Sequence, residues 1–317
     1  MKRLTPWLRG LVTLLLIGWV LSRVDLPELF EMMQRASVSV LLLALLLALL
    51  DRVVMVAKWL PLLKVQLPEV GWWPATRVYM ASTFAGLFMP SIAADVLRGV
   101  ALGRGRKAVP EIGASIALER MLGMLGGSLL SGLALYRIAQ LKFSLDTRGI
   151  LPWGWIATLV PPAIVIASFA FLKIPALRAL INRRAGIPGM GLVRRFSGAY
   201  ELYSERGRLI LVVWLASAFE QTLPIWIYLM IAKSMGGTIT AEMLWIAIPL
   251  MLFAARLPFT LWGLGVAEGG IIYLLGLFGV PSSEALALVL IGRVVELVAI
   301  LPGGLMWSDL ARRRALE

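Results

Sequence analysis

The sequence predicts an all-α polytopic integral membrane protein with about six full transmembrane helices and two inverted re-entrant, broken-helix hairpins. Both termini are expected in the cytoplasm. Of the 317 residues, 60% are apolar and 15% are charged, whereas soluble domains are about 45–50% apolar and about 25% charged. Apolar segments of spanning length recur along the chain, and basic residues concentrate in a few of the intervening loops. That distribution is typical of cytoplasmic loops.

The full spans follow from apolar length and from the charges at their flanks. The first apolar segment lies behind a basic N-terminal stretch and is followed by no small-residue cleavage site, so a retained helix is expected rather than a signal peptide. The slightly acidic stretch 23–37 suits an external loop. The predicted full spans are residues 10–22, 38–60, 112–136, 151–172, 209–232 and 285–307.

Residues 72–99 are predicted to form the first re-entrant hairpin. The segment is apolar but has basic residues on both flanks, and a single crossing would place one basic flank outside. A break at Met89-Pro90-Ser91 removes the conflict because proline cannot continue a helix. Non-helical backbone at membrane depth is tolerated only where it is buried in protein or lines a cavity. The break therefore predicts a cavity.

Residues 243–280 are predicted to form the second hairpin. The segment is interrupted by Pro258, Gly263 and Gly265. The basic run 312–314 indicates a cytoplasmic C-terminus, and parity then requires residues 243–280 to begin and end outside. The two hairpins would enter from opposite faces, which is a recurring architecture of transporters.

Composition excludes several classes of chemistry. The chain has no cysteine and no histidine, which removes disulfides, thiol nucleophiles, imidazole catalysis and zinc sites with nitrogen or sulfur ligands. No nucleotide-binding loop is present, so direct coupling to ATP is not expected. The sequence predicts no cofactor, no metal and no enzymatic activity.

The formal net charge of +13 is explained by cytoplasmic loops rather than by nucleic acid. Eight basic residues fall in the predicted cytoplasmic loop 173–208. No basic motif interleaved with aromatic residues accompanies them, so no nucleic-acid partner is expected. These residues mark topology and would attract anionic lipid headgroups.

Twelve ionisable residues fall inside the apolar segments or their breaks. Exposure of one charged side chain to lipid costs about 2.5–3.5 kcal/mol, so exposure of all twelve would cost on the order of 30 kcal/mol. That exceeds the net stability of a typical domain. They are therefore expected to face the protein interior, to pair, or to line water. The acids are Asp51, Asp95, Glu119, Glu220, Glu268 and Glu296, and the bases are Arg52, Lys58, Arg98, Arg120, Arg256 and Arg293.

Spacing along the helices supports pairing. Arg293 and Glu296 are three residues apart on one predicted helix and share a face. Asp51 and Lys58 are seven apart, which is about two turns. Any single pair is equally consistent with a role in fixing helix register. The number of charges favours a polar, water-accessible path through the membrane.

Two segments combine a helix break with a charge. Pro90 is followed by Asp95 and Arg98, and Pro258 is followed by Gly263, Gly265 and Glu268. In both, a new half-helix begins near the break, and its free N–H groups could receive an anionic headgroup. Asp95 and Glu268 could instead only cap the helix dipole.

With Glu119-Arg120 and the later Pro302-Gly303, these motifs resemble the flippase-like family named for the transmembrane region of lysylphosphatidylglycerol synthases. The resemblance covers essentially the whole chain through the order and spacing of short motifs. It implies a lipid flippase-like membrane domain. Two motifs depart from the pattern: Ala93-Ala94 replace paired glycines in the first, and Ala267 replaces an arginine before the late glutamate in the other. The second departure removes a positive charge beside the expected headgroup site.

In two-part family members a separate soluble domain transfers an amino acid to lipid. About ten residues follow the last predicted span of this sequence, so no aminoacyltransferase activity is expected. The predicted function is a lipid translocator of the bacterial inner membrane that moves a polar or anionic headgroup through a charged cavity. The residues expected at the site are Arg52, Lys58, Pro90, Asp95, Arg98, Glu119, Arg120, Pro258, Gly263, Gly265, Glu268, Arg293 and Glu296.

Two alternatives from other classes stay open. Clustered carboxylates would also suit an intramembrane enzyme acting on lipid-linked substrates, and the loop 173–208 would suit a scaffold for a lipid-modifying partner. The lipid itself, the direction and energy source of its movement, and the choice between a homo-oligomer and a heterologous partner are not fixed by the residues.

Overall fold

The computed structural model is helical throughout the main part of the chain that it describes, namely residues 34–89, 91–103, 105–106, 108–141, 150–172, 190–255 and 266–315, with residues 27 and 31. The predicted span 10–22 and four predicted site residues, Pro90, Pro258, Gly263 and Gly265, lie outside the described residues. The helices are α1 (Val38–Gln66), α2 (Trp72–Ala85), α3 (Ser91–Gly103), α4 (Val109–Gln140), α5 (Ile150–Leu172), α6 (Met190–Ser204), α7 (Gly207–Glu220), α8 (Leu223–Met235), α9 (Ala241–Ala255), α10 (Val266–Gly276) and α11 (Ser282–Ala315).

Within the described residues, four helical stretches are long and apolar enough to cross a membrane: Val38–Gln66, Val109–Gln140, Gly207–Met235 and Ser282–Ser308. Helix α5 adds 23 residues without a charged side chain. These helices confirm the all-α polytopic membrane fold. The number of full crossings and the cytoplasmic position of the termini stay predictions.

The predicted span 209–232 is two helices rather than one. Helix α7 ends at Glu220 and α8 begins at Leu223, with a proline in its first turn. Proline is favoured there because backbone N–H groups in the first turn of a helix have no carbonyl partner within the helix. The N–H that proline lacks is therefore not missed. The backbone N–H groups of Ile225 and Trp226 both donate to the carbonyl of Thr222. The interruption leaves Glu220 at the end of a helix.

The predicted break near Pro90 is present. Helix α2 ends at Ala85, where the N–H of Gly86 donates to the carbonyl of Ser82 at 2.9 Å, and α3 begins at Ser91. Helices α2 and α3 pack against each other, as do α9 and α10. Helix–break–helix packing is what a re-entrant hairpin requires, although entry from one face of a membrane stays a prediction for both pairs.

Contacts divide the chain into two compact units. The first unit comprises residues 1–51, 129–156 and 221–299. Its core is built from aliphatic side chains of α1, α8, α9, α10 and α11, including the fully buried Ile231, Leu244, Ile271 and Leu288. Continuous apolar runs suit helices that are covered on most sides.

The second unit comprises residues 52–128, 157–220 and 300–317. One core cluster surrounds Trp59, Leu63 and Ile112, and another packs Leu118 and Leu122 against Tyr203. The single membrane domain over residues 1–317 that the sequence predicts stays a prediction.

In the second unit, two hydrogen bonds connect helix α6 to the C-terminal end of α1. The hydroxyl of Tyr203 donates to the carbonyl of Leu62 at 2.8 Å, and the amide of Gln66 donates to the carbonyl of Ala199 at 2.8 Å. Burial raises the pKa of Tyr203, which keeps its hydroxyl protonated as a donor. The connection predicted as the basic loop 173–208 therefore contains a docked helix.

The C-terminal half of α11 packs closely on α2 within the same unit. Gly303 is buried, and a Cβ atom built on it would overlap the carbonyl oxygen of Met80 and lie 3.1 Å from the Cβ of Phe84. Only a residue without a side chain allows this approach of the two backbones. The proline–glycine element at 302–303 thus has a packing role.

In the first unit, Glu284 holds the turn between α8 and α9. Its buried carboxylate accepts from the backbone N–H of Thr238 at 2.7 Å, from that of Ile239 at 3.2 Å, and from the Thr238 hydroxyl at 2.9 Å. We expect Glu284→Ala to lower the free energy of unfolding by about 2–3 kcal/mol, because these donors would be left buried without an acceptor. Unfolding of the purified protein in mixed micelles checks this value.

Glu242→Ala is the matched control for Glu284→Ala. Glu242 lies in the same unit and forms an ion pair of 2.8 Å with Arg137, but both side chains are about half exposed. Removal of an exposed pair is expected to cost at most about 1 kcal/mol. Equal losses for the two variants would contradict the role assigned to Glu284.

Candidate functional site

A cluster of charged side chains lies inside the second unit, on helices α1, α3, α4 and α7, and helix α2 adds a tyrosine to it. Its centre is Arg98, whose guanidinium donates to Glu119 at 2.8 Å. The other carboxylate oxygen of Glu119 accepts from the hydroxyl of Tyr79 at 2.9 Å. Arg98 and Glu119 have only 2% and 4% of their side chains exposed. A buried charge is tolerated only when it is paired and hydrogen-bonded.

Aromatic rings complete the surroundings of Arg98. Its guanidinium carbon lies 4.7 Å from the ring centroid of Trp59 and 4.5 Å from that of Tyr79. Such contacts stabilise a desolvated cation by about 2 kcal/mol or more. Trp59 is itself fixed, since its indole N–H donates to Ser115 at 3.1 Å. Arg98 is thus held on two sides by rings and at its tip by carboxylates.

Asp95 joins the buried pair to a more exposed arginine. Arg120 donates to both carboxylate oxygens of Asp95, each at 2.9 Å, while Arg98 approaches Asp95 at 3.4 Å. The exposed fraction rises from 2% at Arg98 through 20% at Asp95 to 54% at Arg120. Charges therefore continue from the unit's interior to a partly exposed guanidinium.

Lys58 and Glu220 form a further buried pair in this unit, 2.9 Å apart and less than a tenth exposed. Glu220 is available there because α7 ends at that residue. The sequence places Asp51 and Lys58 two turns apart on α1, but the ion-pair partner of Lys58 is Glu220. Arg52 belongs to the same unit, is partly buried and has its own interaction partner.

A second, smaller cluster lies in the first unit. Arg293 on α11 pairs with Glu268 on α10 at 3.2 Å and with Glu296 at 3.8 Å. Glu268 is almost fully buried, and Glu296 is about one third exposed. The predicted shared face of Arg293 and Glu296 is therefore present. Glu268 follows directly on the segment that contains Pro258, Gly263 and Gly265.

The predicted site residues are largely brought into these two clusters. Lys58, Asp95, Arg98, Glu119 and Arg120 belong to the first, and Glu268, Arg293 and Glu296 to the second. The adjacent residues Glu119 and Arg120 do not pair with each other, because neighbouring side chains on a helix point in different directions. Each reaches across to helix α3 instead.

Three contributors were not predicted: Trp59, Tyr79 and Ser115. A signal exists for Trp59, which directly follows Lys58 within a predicted span, but apolar spans commonly contain aromatic residues. Tyr79 lies on the helix that precedes the break at Pro90. Within the described residues no group of three histidine, cysteine or acidic side chains is arranged to hold a metal ion. The clusters instead suit the binding of an anionic group by arginine.

The family model described as the lysylphosphatidylglycerol synthase TM region matches residues 7–304. No curated protein and no solved structure matches the chain.

Proposed function

Since the chain belongs to the lysylphosphatidylglycerol synthase transmembrane-region family, we propose that it is a lipid translocator of the bacterial inner membrane. Family membership makes it a multi-pass membrane protein related to lipid modification or translocation. The finer proposal is that it moves a polar or anionic headgroup through a charged interior while the acyl chains stay in the bilayer.

The observation that carries the proposal is the graded series of paired charges from Arg120 through Asp95 to Arg98 and Glu119. Pairs that only fix helix register need no such continuity from a partly exposed to a buried position. Asp95 binds Arg120 through two parallel N–H···O bonds, a geometry that phosphate also adopts with arginine. In this proposal a headgroup phosphate takes the place of Asp95 on Arg120.

Return of Asp95 to Arg120 would then release the headgroup. Exchange between two anions on one cation keeps the guanidinium paired at each stage, which avoids the cost of an isolated charge in a low-dielectric interior. Glu268 and Arg293 are proposed to act in the same way in the first unit. Their cluster contains one more acid than base, so its net charge favours a cationic group or a proton beside the phosphate.

The test is translocation of headgroup-labelled phospholipids in proteoliposomes. We expect Asp95→Asn and Glu268→Gln each to lower the initial rate by about tenfold to a hundredfold, the equivalent of one charge-assisted hydrogen bond. Asparagine leaves Arg120 without an internal anion, so the bound headgroup is released slowly. Glu242→Gln, which alters only an exposed ion pair, is the control and should keep the wild-type rate.

The outcomes separate the alternatives. If folded Asp95→Asn and Glu268→Gln both translocate lipid at the wild-type rate, the two charge clusters have no role in transport. Absence of protein-dependent movement for several lipid classes, with and without a proton gradient, would favour an enzyme or a scaffold. Hydrolysis or transfer products in the same liposomes would identify the enzyme, and loss of function only on deletion within 173–208 would identify the scaffold.

A further inference from the structure

A surface groove of the second unit lies apart from both charge clusters. It has a volume of about 580 Å³ and runs between the C-terminal end of α1 and the start of α7. None of its residues takes part in the ion pairs described above. The lining residues are Pro61, Lys64, Val65, Arg206, Arg208, Leu209 and Val212.

The groove combines an apolar floor with exposed cations. Pro61, Val65, Leu209 and Val212 form the floor, and Val212 is 55% exposed. Lys64, Arg206 and Arg208 are exposed at its rim. Among the residues that the structure describes, no ion pair neutralises these three side chains. An amphiphile with an acyl chain and an anionic head matches both surfaces, whereas a free anion would leave the floor uncovered.

The neighbouring helix α6 places the groove at the depth of lipid headgroups. Helix α6 exposes Leu192, Phe196 and Leu202 together with basic residues such as Arg194. Exposed apolar residues and basic residues on one helix are typical of helices that lie in the membrane interface. Because Tyr203 and Gln66 bind α6 to the end of α1, the groove beside them lies at the same level.

We propose that this groove binds one anionic phospholipid. Its phosphate contacts Lys64, Arg206 and Arg208, and one acyl chain covers Val65, Leu209 and Val212. Arginine and lysine near the membrane surface attract anionic lipid. The site does not depend on the proposed translocation, because it lies outside the paired charges that translocation would use. A resident lipid here would connect α1 to α7.

Lipid retention in native mass spectra of the detergent-solubilised protein tests the proposal. The probes are dioleoyl phosphatidylglycerol and dioleoyl phosphatidylcholine, which differ in headgroup charge but share acyl chains. We expect wild type to bind phosphatidylglycerol at least tenfold more tightly, and Arg206→Gln with Arg208→Gln to reduce that preference to about threefold or less. The control is Arg77→Gln with Lys233→Gln, which removes two positive charges at exposed sites elsewhere. It should keep the wild-type preference for phosphatidylglycerol.

Three further measurements place the lipid. Val212→Trp, which fills the floor of the groove, should weaken binding of both lipids without altering the unfolding temperature in lipid-free detergent. Glu242→Gln, which alters only an exposed ion pair of the first unit, should leave binding unchanged. Inorganic phosphate at millimolar concentration should not displace the lipid.

The proposal is overturned if the groove variant and the control lose affinity equally, or if phosphatidylcholine binds wild type as tightly as phosphatidylglycerol. Displacement by inorganic phosphate would assign the three cations to a free anion instead. Loss of binding in Arg120→Gln but not in the groove variant would locate the lipid at the charge cluster.

Discussion

Glu119→Gln is expected to lower the free energy of unfolding by about 3–5 kcal/mol, because it leaves the buried guanidinium of Arg98 without its main counter-charge. Arg98 is 2% exposed and its remaining acid, Asp95, lies 3.4 Å away. Asp95 is also engaged with Arg120. Equilibrium unfolding by increasing mole fraction of dodecyl sulfate in mixed micelles measures this loss.

Arg98→Met combined with Glu119→Leu is the informative companion variant. It removes both charges and retains apolar volume, so much of the lost stability should return even though the cation–π contacts with Trp59 and Tyr79 are absent. A double variant that is less stable than Glu119→Gln alone would show that shape, rather than charge compensation, dominates this position.

Gly303→Ala is expected to lower the free energy of unfolding by about 3 kcal/mol, at the upper end of overpacking effects. The added methyl group would overlap the carbonyl oxygen of Met80, and the carbonyl carbon lies 2.9 Å from its position. Both atoms belong to the backbone of α2, so the helix itself must shift. Thermal unfolding followed by circular dichroism gives the change in melting temperature.

Gly270→Ala provides the matched control on α10. A Cβ atom there meets no atom within 4 Å, and alanine favours a helix over glycine by about 0.5–1 kcal/mol. The control should therefore be neutral or slightly more stable. A similar loss for Gly270→Ala and Gly303→Ala would contradict the close approach of α11 to α2.

Much of the fold could be predicted because the length and apolarity of a segment and the positions of its prolines identify membrane helices. The predicted break at 89–91 lies within a few residues of the observed end of α2 at Ala85 and at the start of α3 at Ser91. The interruption between α7 and α8 was missed. Its proline lies within a segment of spanning length, where membrane helices often tolerate proline, and the polar residues 220–222 before it were not interpreted as an interruption.

The identity of the charged residues was predictable, but most of their partners were not. Burial of Lys58 and Glu220 follows from the cost of charge in lipid, yet these residues are 162 positions apart. Only tertiary packing brings them together. Local spacing succeeded for Arg293 and Glu296, which lie on one helix. It did not anticipate that Glu119 would pair with Arg98 and Arg120 with Asp95.

The groove beneath Lys64 was not predicted either. Its lining comes from two parts of the chain that are more than a hundred residues apart. Its basic residues in 173–208 were predicted to mark topology and to attract anionic headgroups, but no binding groove was predicted. Charge counts identify a cytoplasmic face without showing whether the cations surround an apolar depression.

The charge cluster of the second unit contains as many acids as bases, Asp95, Glu119 and Glu220 against Lys58, Arg98 and Arg120. Moving one elementary charge across a membrane potential of 100 mV requires or releases about 2.3 kcal/mol of electrical work. A rearrangement that carries the whole cluster moves no net charge through that field. This cluster would therefore add no voltage dependence to the proposed transport. Any such dependence would originate in the charge of the lipid and of any proton that accompanies it.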